Sequence, residues 1–231
     1  MKIRNQIIRL FLNRGSDLIR VSWIAFPVIP EDNKIMFFQR DRIEFGFLSN
    51  FYPCKIEIDG KTWPHTEAYY QSQKSHNPDF HDRILEKEIP SWAKYVGDSR
   101  VGNPKIAKKS WFRKHPDDLR SDWDEIKIVV MKKALHAKFT QNKNLQLSLL
   151  NTDSAQLIED SSKDAFWGIG DSGNGDNVLG NLLMELRGTL RRGAEQIAPV
   201  DRVGTGLFFR FLCFFNIFNF TNCSVSLPPG H

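Results

Sequence analysis

Cysteine is scarce: three in 231 residues, Cys54, Cys213 and Cys223. The number is odd and no pair has metal-ligand spacing, which excludes an even disulfide framework and suits inert thiols in a reducing compartment. Asn222-Cys223-Ser224 reads as a glycosylation sequon, but nothing else in the chain points to secretion. Long hydrophobic runs are missing as well. The most apolar stretch, LFFRFLCFFNIFNF from Leu207 to Phe220, is shorter than the roughly 20 residues a spanning helix needs, and Arg210 interrupts it. No internal repeat or low-complexity segment stands out.

What remains is 41% hydrophobic and 26% charged, the composition of a soluble globular protein with chain enough for one sizeable core and a small appendage. A net charge of +5 suits an anionic ligand without requiring one. The ends differ from the middle. Residues 1–20 carry Lys2, Arg4, Arg9, Arg14 and Arg20 against one acid, Asp17, interleaved with apolar residues. That pattern fits an organelle transit peptide as well as an extra helix. The expected organisation is a basic extension over 1–34, one domain over 35–192 and an apolar tail over 193–231, in a cytoplasmic protein unless the basic start redirects it.

Within the domain, residues 35–38 read as a strand, and CKIEIDGKTW reads as a hairpin. Cys54, Ile56 and Ile58 alternate with Lys55, Glu57 and Asp59, and Asp59-Gly60 supplies the left-handed pair of a two-residue turn. Asn77-Pro78 opens a helix reaching Glu88, and Ser91 opens another. A long helix is predicted over 122–140, burying Ile126, Val129, Val130, Ala134, Ala137 and Phe139, with Trp123, Lys127 and Met131 on a second row. A short helix follows over 143–150, then strand-like QLIED. The last helix carries the stripe Leu179, Leu182, Leu183, Leu186 and Leu190. Helices outnumber strands, so the expected class is α+β: a predominantly helical domain with a small antiparallel sheet or hairpin.

Two stretches stand out chemically. In WPHTEAYYQSQK, Glu67, Tyr70, Gln71 and Lys74 share one helical face that is too polar for core and too aromatic for surface. A carboxylate in a first helical turn is explained by the helix dipole, worth roughly 0.3–1 kcal/mol; the company it keeps here is not. The second stretch is DAFWGIGDSGNGDNVLG. Gly168, Gly170 and Gly173 fit GxGxxG, but no β-α-β unit surrounds them and the loop does not end in GK[ST], so neither a dinucleotide fold nor a P-loop is expected. Glycines let backbone approach a ligand, and the following helix N-terminus suits phosphate. Trp167 offers a stacking plate at the loop entry.

SNFYP, DGKTWPHTEAYYQSQK, WDEIKIVVMKKALHAKF and DAFWGIGDSGNGDNVLGNLLMELR occur in that order and with compatible spacing. Together they resemble the YbiA-like family, also called NADAR (NAD- and ADP-ribose-associated), over residues 35–192. The resemblance implies hydrolysis of the bond between a ribose C1 and a nitrogen, with no metal and no redox cofactor. The implied substrates are phosphoribosylamino-pyrimidine intermediates of riboflavin synthesis or nitrogen-linked ADP-ribose, including guanine-linked. By motif it carries over Glu67, Lys74, Trp123, Lys127, Asp164, Trp167, Gly168, Asn177, Gly180 and Arg187. His65 departs from the small hydroxyl residue common there.

On this resemblance Glu67 is the carboxylate that stabilises a cationic sugar or deprotonates water, and Asp164, or Asp160, protonates the leaving nitrogen. Lys74 offers an alternative route through a Schiff base. Arg187, Lys127 and the glycine loop, with Gly168 and Gly170, are the expected phosphate contacts; Trp167 and Trp92 are the expected stacking residues. Two other classes compete. One is a non-catalytic ADP-ribose reader. The other is a nucleic-acid binder using the basic segment 105–114 and Trp111, with a steep salt dependence.

Overall fold

A computed structural model of the chain describes residues 28–38, 44–99 and 109–197. The basic start, the apolar tail with Cys213, Cys223 and the sequon, and residues 105–108 of the basic segment 105–114 lie outside the described residues. In chain order the elements are β1 (Lys34–Phe37), a 3-10 turn (Gly46–Leu48), β2 (Ile56–Ile58), β3 (Lys61–Trp63), α1 (Thr66–Ser72), α2 (Pro78–Leu85), α3 (Pro90–Val96), a 3-10 turn (Pro116–Asp118), α4 (Trp123–Gln141), α5 (Lys143–Asn151), β4 (Gln156–Glu159) and α6 (Val178–Ile197). The class is α+β and mostly helical, as the residue pattern predicts.

The hairpin forms as expected. Ile56 pairs with Trp63 and Ile58 with Lys61, and Asp59 (φ 55°) with Gly60 (φ 72°) makes the turn. Both central residues are left-handed, which matches the twist of the flanking strands. The strand-like QLIED does not join this sheet. β4 pairs in parallel with β1, Ile35 beside Leu157 and Phe37 beside Glu159. Five helices among the described residues separate the two strands in sequence, so no local signal announces the pair. Ile35, Phe37 and Leu157 are fully buried, placing the pair in the core.

α1 is buried at every one of its seven residues. Its start is held twice over. His65 Nδ1 accepts the Ala68 N–H at 3.0 Å, and the Asn50 carbonyl of SNFYP accepts both the Thr66 hydroxyl (3.0 Å) and the Glu67 N–H (3.2 Å). The helix packs against α2, α3 and α4. α2 is capped by Asn77, whose Oδ1 accepts from Asp79 N at 2.9 Å; it ends at Leu85 rather than Glu88. α3 begins at Pro90, one residue before Ser91.

α4 buries Val130, Met131, Ala134, Leu135, Ala137 and Phe139. Val129, predicted buried, is 65% exposed. It faces an open groove between α4 and α6 that Leu182 and Leu186 also line, bridged by Lys132 and Glu185 at 2.9 Å. α6 buries Leu179, Leu182 and Leu183 as its stripe predicts. It meets β4 without a gap: a Cβ on Gly180 would stand 2.1 Å from the Leu157 carbonyl oxygen. Gly180→Ala must therefore push two backbones apart. A loss of about 2 kcal/mol, within the range for overpacking, is expected in a thermal or urea melt; an unchanged melt would contradict this contact.

Candidate active site

Glu67 occupies the first turn of α1 and is 6% exposed. Its Oε1 accepts from Gln71 Nε2 at 2.9 Å, one turn further along. Gln71 is itself pressed against α3: a Cβ on Gly97 would lie 2.3 Å from Gln71 Oε1, so this approach needs glycine. Burial pushes the Glu67 carboxyl above its ordinary range. The ammonium of Lys94, the Gln71 amide and the ammonium of Lys74 oppose that push, and Asp164 adds to it. Here is a dry carboxylate whose charge rests on one amide donor and two cations.

Lys74 follows on the same side of the chain. Its Nζ donates to the Gly97 carbonyl at 2.7 Å and lies 5.5 Å from the Trp123 ring centroid and 5.9 Å from that of Tyr70. Carbonyl oxygen and aromatic faces both suit an ammonium. Tyr70 stands edge-on between Trp123 (5.0 Å) and Trp167 (5.5 Å). Burial first, then Glu67, hold its phenol well above the ordinary range, so it stays neutral. On α4, Lys127 lies 4.4 Å over the Phe166 ring and pairs with Asp124 at 2.7 Å.

The loop from Ser161 to Asn177 closes the site. Asp164 Oδ1 accepts the N–H groups of Phe166 (3.1 Å) and Trp167 (2.8 Å), which turns Trp167 toward Tyr70. Thus Glu67, Lys74, Trp123, Lys127, Asp164, Trp167 and Gly168 are brought into one neighbourhood. Gly168 lies flat against Glu159: a Cβ there would come within 2.6 Å of the Glu159 carbonyl oxygen.

The other expected residues are engaged elsewhere in the fold. The amides of the loop glycines Gly168 and Gly170, and those that open α6, are used within the protein. Gly168 N and Gly170 N donate to carbonyls within the loop, and Asn177 N, Val178 N and Leu179 N donate to Gly168 O (3.1 Å), Phe166 O (3.0 Å) and Trp167 O (3.1 Å). The loop thereby caps α6 with its own carbonyls, satisfying donors that a helix start leaves open. Asn177 spends both amide atoms on β4, donating to Leu157 O and accepting from Glu159 N, each at 2.9 Å. Arg187 reaches the opposite end of β4, donating to Thr152 Oγ1 (2.7 Å) and Ala155 O (2.9 Å). Trp92 turns toward α2: its Nε1 donates to Arg83 O at 2.9 Å, and Arg83 and Lys87 lie 4.5 and 4.4 Å from its ring. Trp111 is tied to Asp118 (2.7 Å) and stacked on His115 (4.2 Å).

Two neighbours of Glu67 escape sequence reasoning. Lys94, on α3, lies 5.7 Å over the Phe51 ring and is close enough to draw both Glu67 and Glu159 toward ionisation. Glu159 ends β4. The residue is half-buried, but its Oε2 is shut off from solvent and has no hydrogen-bond partner among the described residues. Burial, then Glu67 and Asp164, push its carboxyl up to about 8. The available signal is an ionisable side chain at the carboxyl end of a short strand, directly after Leu157 and Ile158, where ligands gather in sheets with parallel strands.

An α+β scaffold that gathers buried carboxylates, ammonium groups and an aromatic wall in one neighbourhood has the makings of an enzyme site. The chain belongs to the NADAR domain family, whose profile matches residues 36–191. It is 42% identical over 144 residues to the N-glycosidase YbiA of Escherichia coli, covering 62% of this chain and 81% of that one. It is 36% identical to the chloroplastic riboflavin biosynthesis protein PYRR of Zea mays, covering 73% of this chain and 28% of that one. The NMR structure of E. coli YbiA superposes with a TM-score of 0.59 at 35% identity, covering 76% of this chain and 94% of that one. Among the described residues no helix is long and apolar enough to cross a membrane.

Proposed function

We propose that this protein is an N-glycosidase that hydrolyses the bond between a ribose C1 and a nitrogen, acting on a phosphoribosylamino-pyrimidine intermediate of riboflavin synthesis. The observation that carries the reading is Glu67, a carboxylate held dry beside Gln71, Lys74 and Lys94 under an aromatic wall. The relatives named as N-glycosidase and as riboflavin biosynthesis proteins support the reaction class and the kind of substrate.

Cleavage at C1 spreads positive charge over that carbon and the ring oxygen. A preformed anion in a dry site stabilises such charge without reorganising solvent, and the same carboxylate accepts the proton of the attacking water. A second carboxyl group of the cluster supplies the proton that the departing nitrogen needs. Lys127 and Lys94 are the cations offered to the substrate phosphate, and Trp167 with Tyr70 is the surface for the base. Incubating the full chain with a phosphoribosylamino-pyrimidine and following products by mass spectrometry should yield ribose 5-phosphate. ADP-ribose released instead from a guanine-linked oligonucleotide would move the substrate to ADP-ribosylated nucleic acid. Neither product, with ADP-ribose still bound, would sink the hydrolase reading.

The contacts of Lys74 favour direct hydrolysis over the imine route, because Gly97 O and two ring faces suit an ammonium rather than a free amine nucleophile. Borohydride added during turnover should therefore leave the protein mass unchanged. A reduced ribosyl adduct that disappears in Lys74→Met would overturn this.

A further inference from the structure

Glu67 and Asp164 both push the carboxyl of Glu159 up, and Asp164 also pushes up that of Glu67. Glu67 and Glu159 so placed in a dry region do not both ionise near neutral pH, so the question is which of the two keeps a proton. The hydrogen bonds separate them. Glu67 accepts from the Gln71 amide. Asp164 Oδ1 accepts from two backbone N–H groups. Glu159 Oε2 accepts from nothing among the described residues and is closed to solvent. An anion with one oxygen closed to both water and donors is costly, whereas a neutral carboxylic acid brings its own O–H donor to that side.

The position of Glu159 is also unusually well fixed. Its N–H donates to Asn177 Oδ1 at 2.9 Å, and its carbonyl accepts from Ser161 N (2.9 Å) and Ile169 N (3.1 Å). β1 flanks it at Phe37, and Gly168 lies against its side chain, with no room for a Cβ. The groups that face it are Glu67 from α1, Lys94 from α3, Lys138 from α4 and Asp164 from the loop. A side chain whose backbone is fixed in this way, and whose carboxyl feels the charge of Glu67, is placed to act on the same bond.

We infer that Glu159 is the general acid of the site, the group that protonates the leaving nitrogen while Glu67 serves the sugar. The inference rests on the N-glycosidase reading above and names the second carboxyl group that reading requires. Water attacks C1 and gives a proton to Glu67. The C1–N bond breaks, its electron pair goes to nitrogen, and nitrogen takes the proton of Glu159. The products are the sugar with a C1 hydroxyl and the free amine. Return of a proton from Glu67 to Glu159 restores the starting state, and only water is consumed.

The test uses the full chain and Glu159→Gln, with two readouts. In the first, urea unfolding is measured without substrate between about pH 5 and 8.5. A carboxyl whose folded value is raised to about 8 holds its proton in the folded state where the unfolded chain has lost it. The stability it lends is complete below the ordinary glutamate range and disappears as pH rises toward 8. The folding equilibrium of the wild type should thus fall relative to Glu159→Gln by up to tenfold per pH unit across that window, and a constant ratio would overturn the inference. In the second, ribose 5-phosphate release by the wild type should decline above about pH 8. Glu159→Gln should be slower by about 10²-fold and lack that decline. An active wild type matched by Glu159→Gln in rate and profile overturns the acid assignment alone; an inactive wild type overturns the N-glycosidase reading with it. Should Glu159→Gln not fold, ¹³C-labelled glutamates of the wild type carry the test. One carboxyl must titrate near pH 8, and must titrate lower in Glu67→Gln, where a charge that raises it is gone; no such resonance overturns the inference.

Discussion

Glu67→Gln should fold as well as the wild type and lose about 10³–10⁴-fold in kcat, with a KM within a few-fold of normal. The substitution keeps the shape of the side chain, and its amide oxygen can still accept from Gln71 Nε2. What it removes is the negative charge, which matters most when the sugar becomes cationic. An interaction made chiefly in the transition state appears in kcat rather than in KM. The variant should also melt at the same temperature or higher, since burial works against the charge of Glu67 in the resting protein. Steady-state kinetics beside a thermal melt check both halves. Activity within threefold of the wild type would remove Glu67 from the chemistry and leave ligand binding as the role of the site.

Much of this was legible in the residues because it was local. Asp59-Gly60 between alternating residues dictates a hairpin by backbone geometry alone, and the structure has that turn. The face of Glu67, Tyr70, Gln71 and Lys74 was readable because a helix places those positions together whatever surrounds it. Glu159 was not, because its burial depends on a parallel partner strand more than a hundred residues away and on a loop that folds back over it. The glycine loop misled for a related reason. Its composition announces close backbone approach correctly, but what the backbone approaches is β4 and the start of α6, not a ligand. Trp92 shows the same limit: residue type says that a ring is available for stacking, and only the packing says that Arg83 and Lys87 already use it.

Arg187→Ala should separate scaffold from site most clearly, because the residue type and motif suggest a phosphate contact and the geometry assigns it elsewhere. The residue is 7% exposed, and its guanidinium bridges Thr152 Oγ1 and Ala155 O, fastening α6 to the segment that leads into β4. Burial and the neighbouring Arg191 both act against its charge, so removing it relieves some unfavourable electrostatics. That relief is the smaller effect. Truncation leaves the buried Ala155 carbonyl without its donor, at about 1–3 kcal/mol, leaves Thr152 Oγ1 with only its bond to Leu149 O, and empties the space the side chain filled. A loss of about 3 kcal/mol or more is expected, a fall in Tm on the order of 10 °C for a chain of this size. Arg187→Lys should recover little, since one ammonium cannot span both acceptors as the planar fork does. Below the lowered melting temperature the KM for a phosphoribosyl substrate should stay within about twofold of the wild type. The opposite pattern, an unchanged Tm with a KM raised tenfold or more, would mean that Arg187 leaves Thr152 and Ala155 to meet the phosphate. It would also mean that the end of β4 opposite Glu159 belongs to the binding surface.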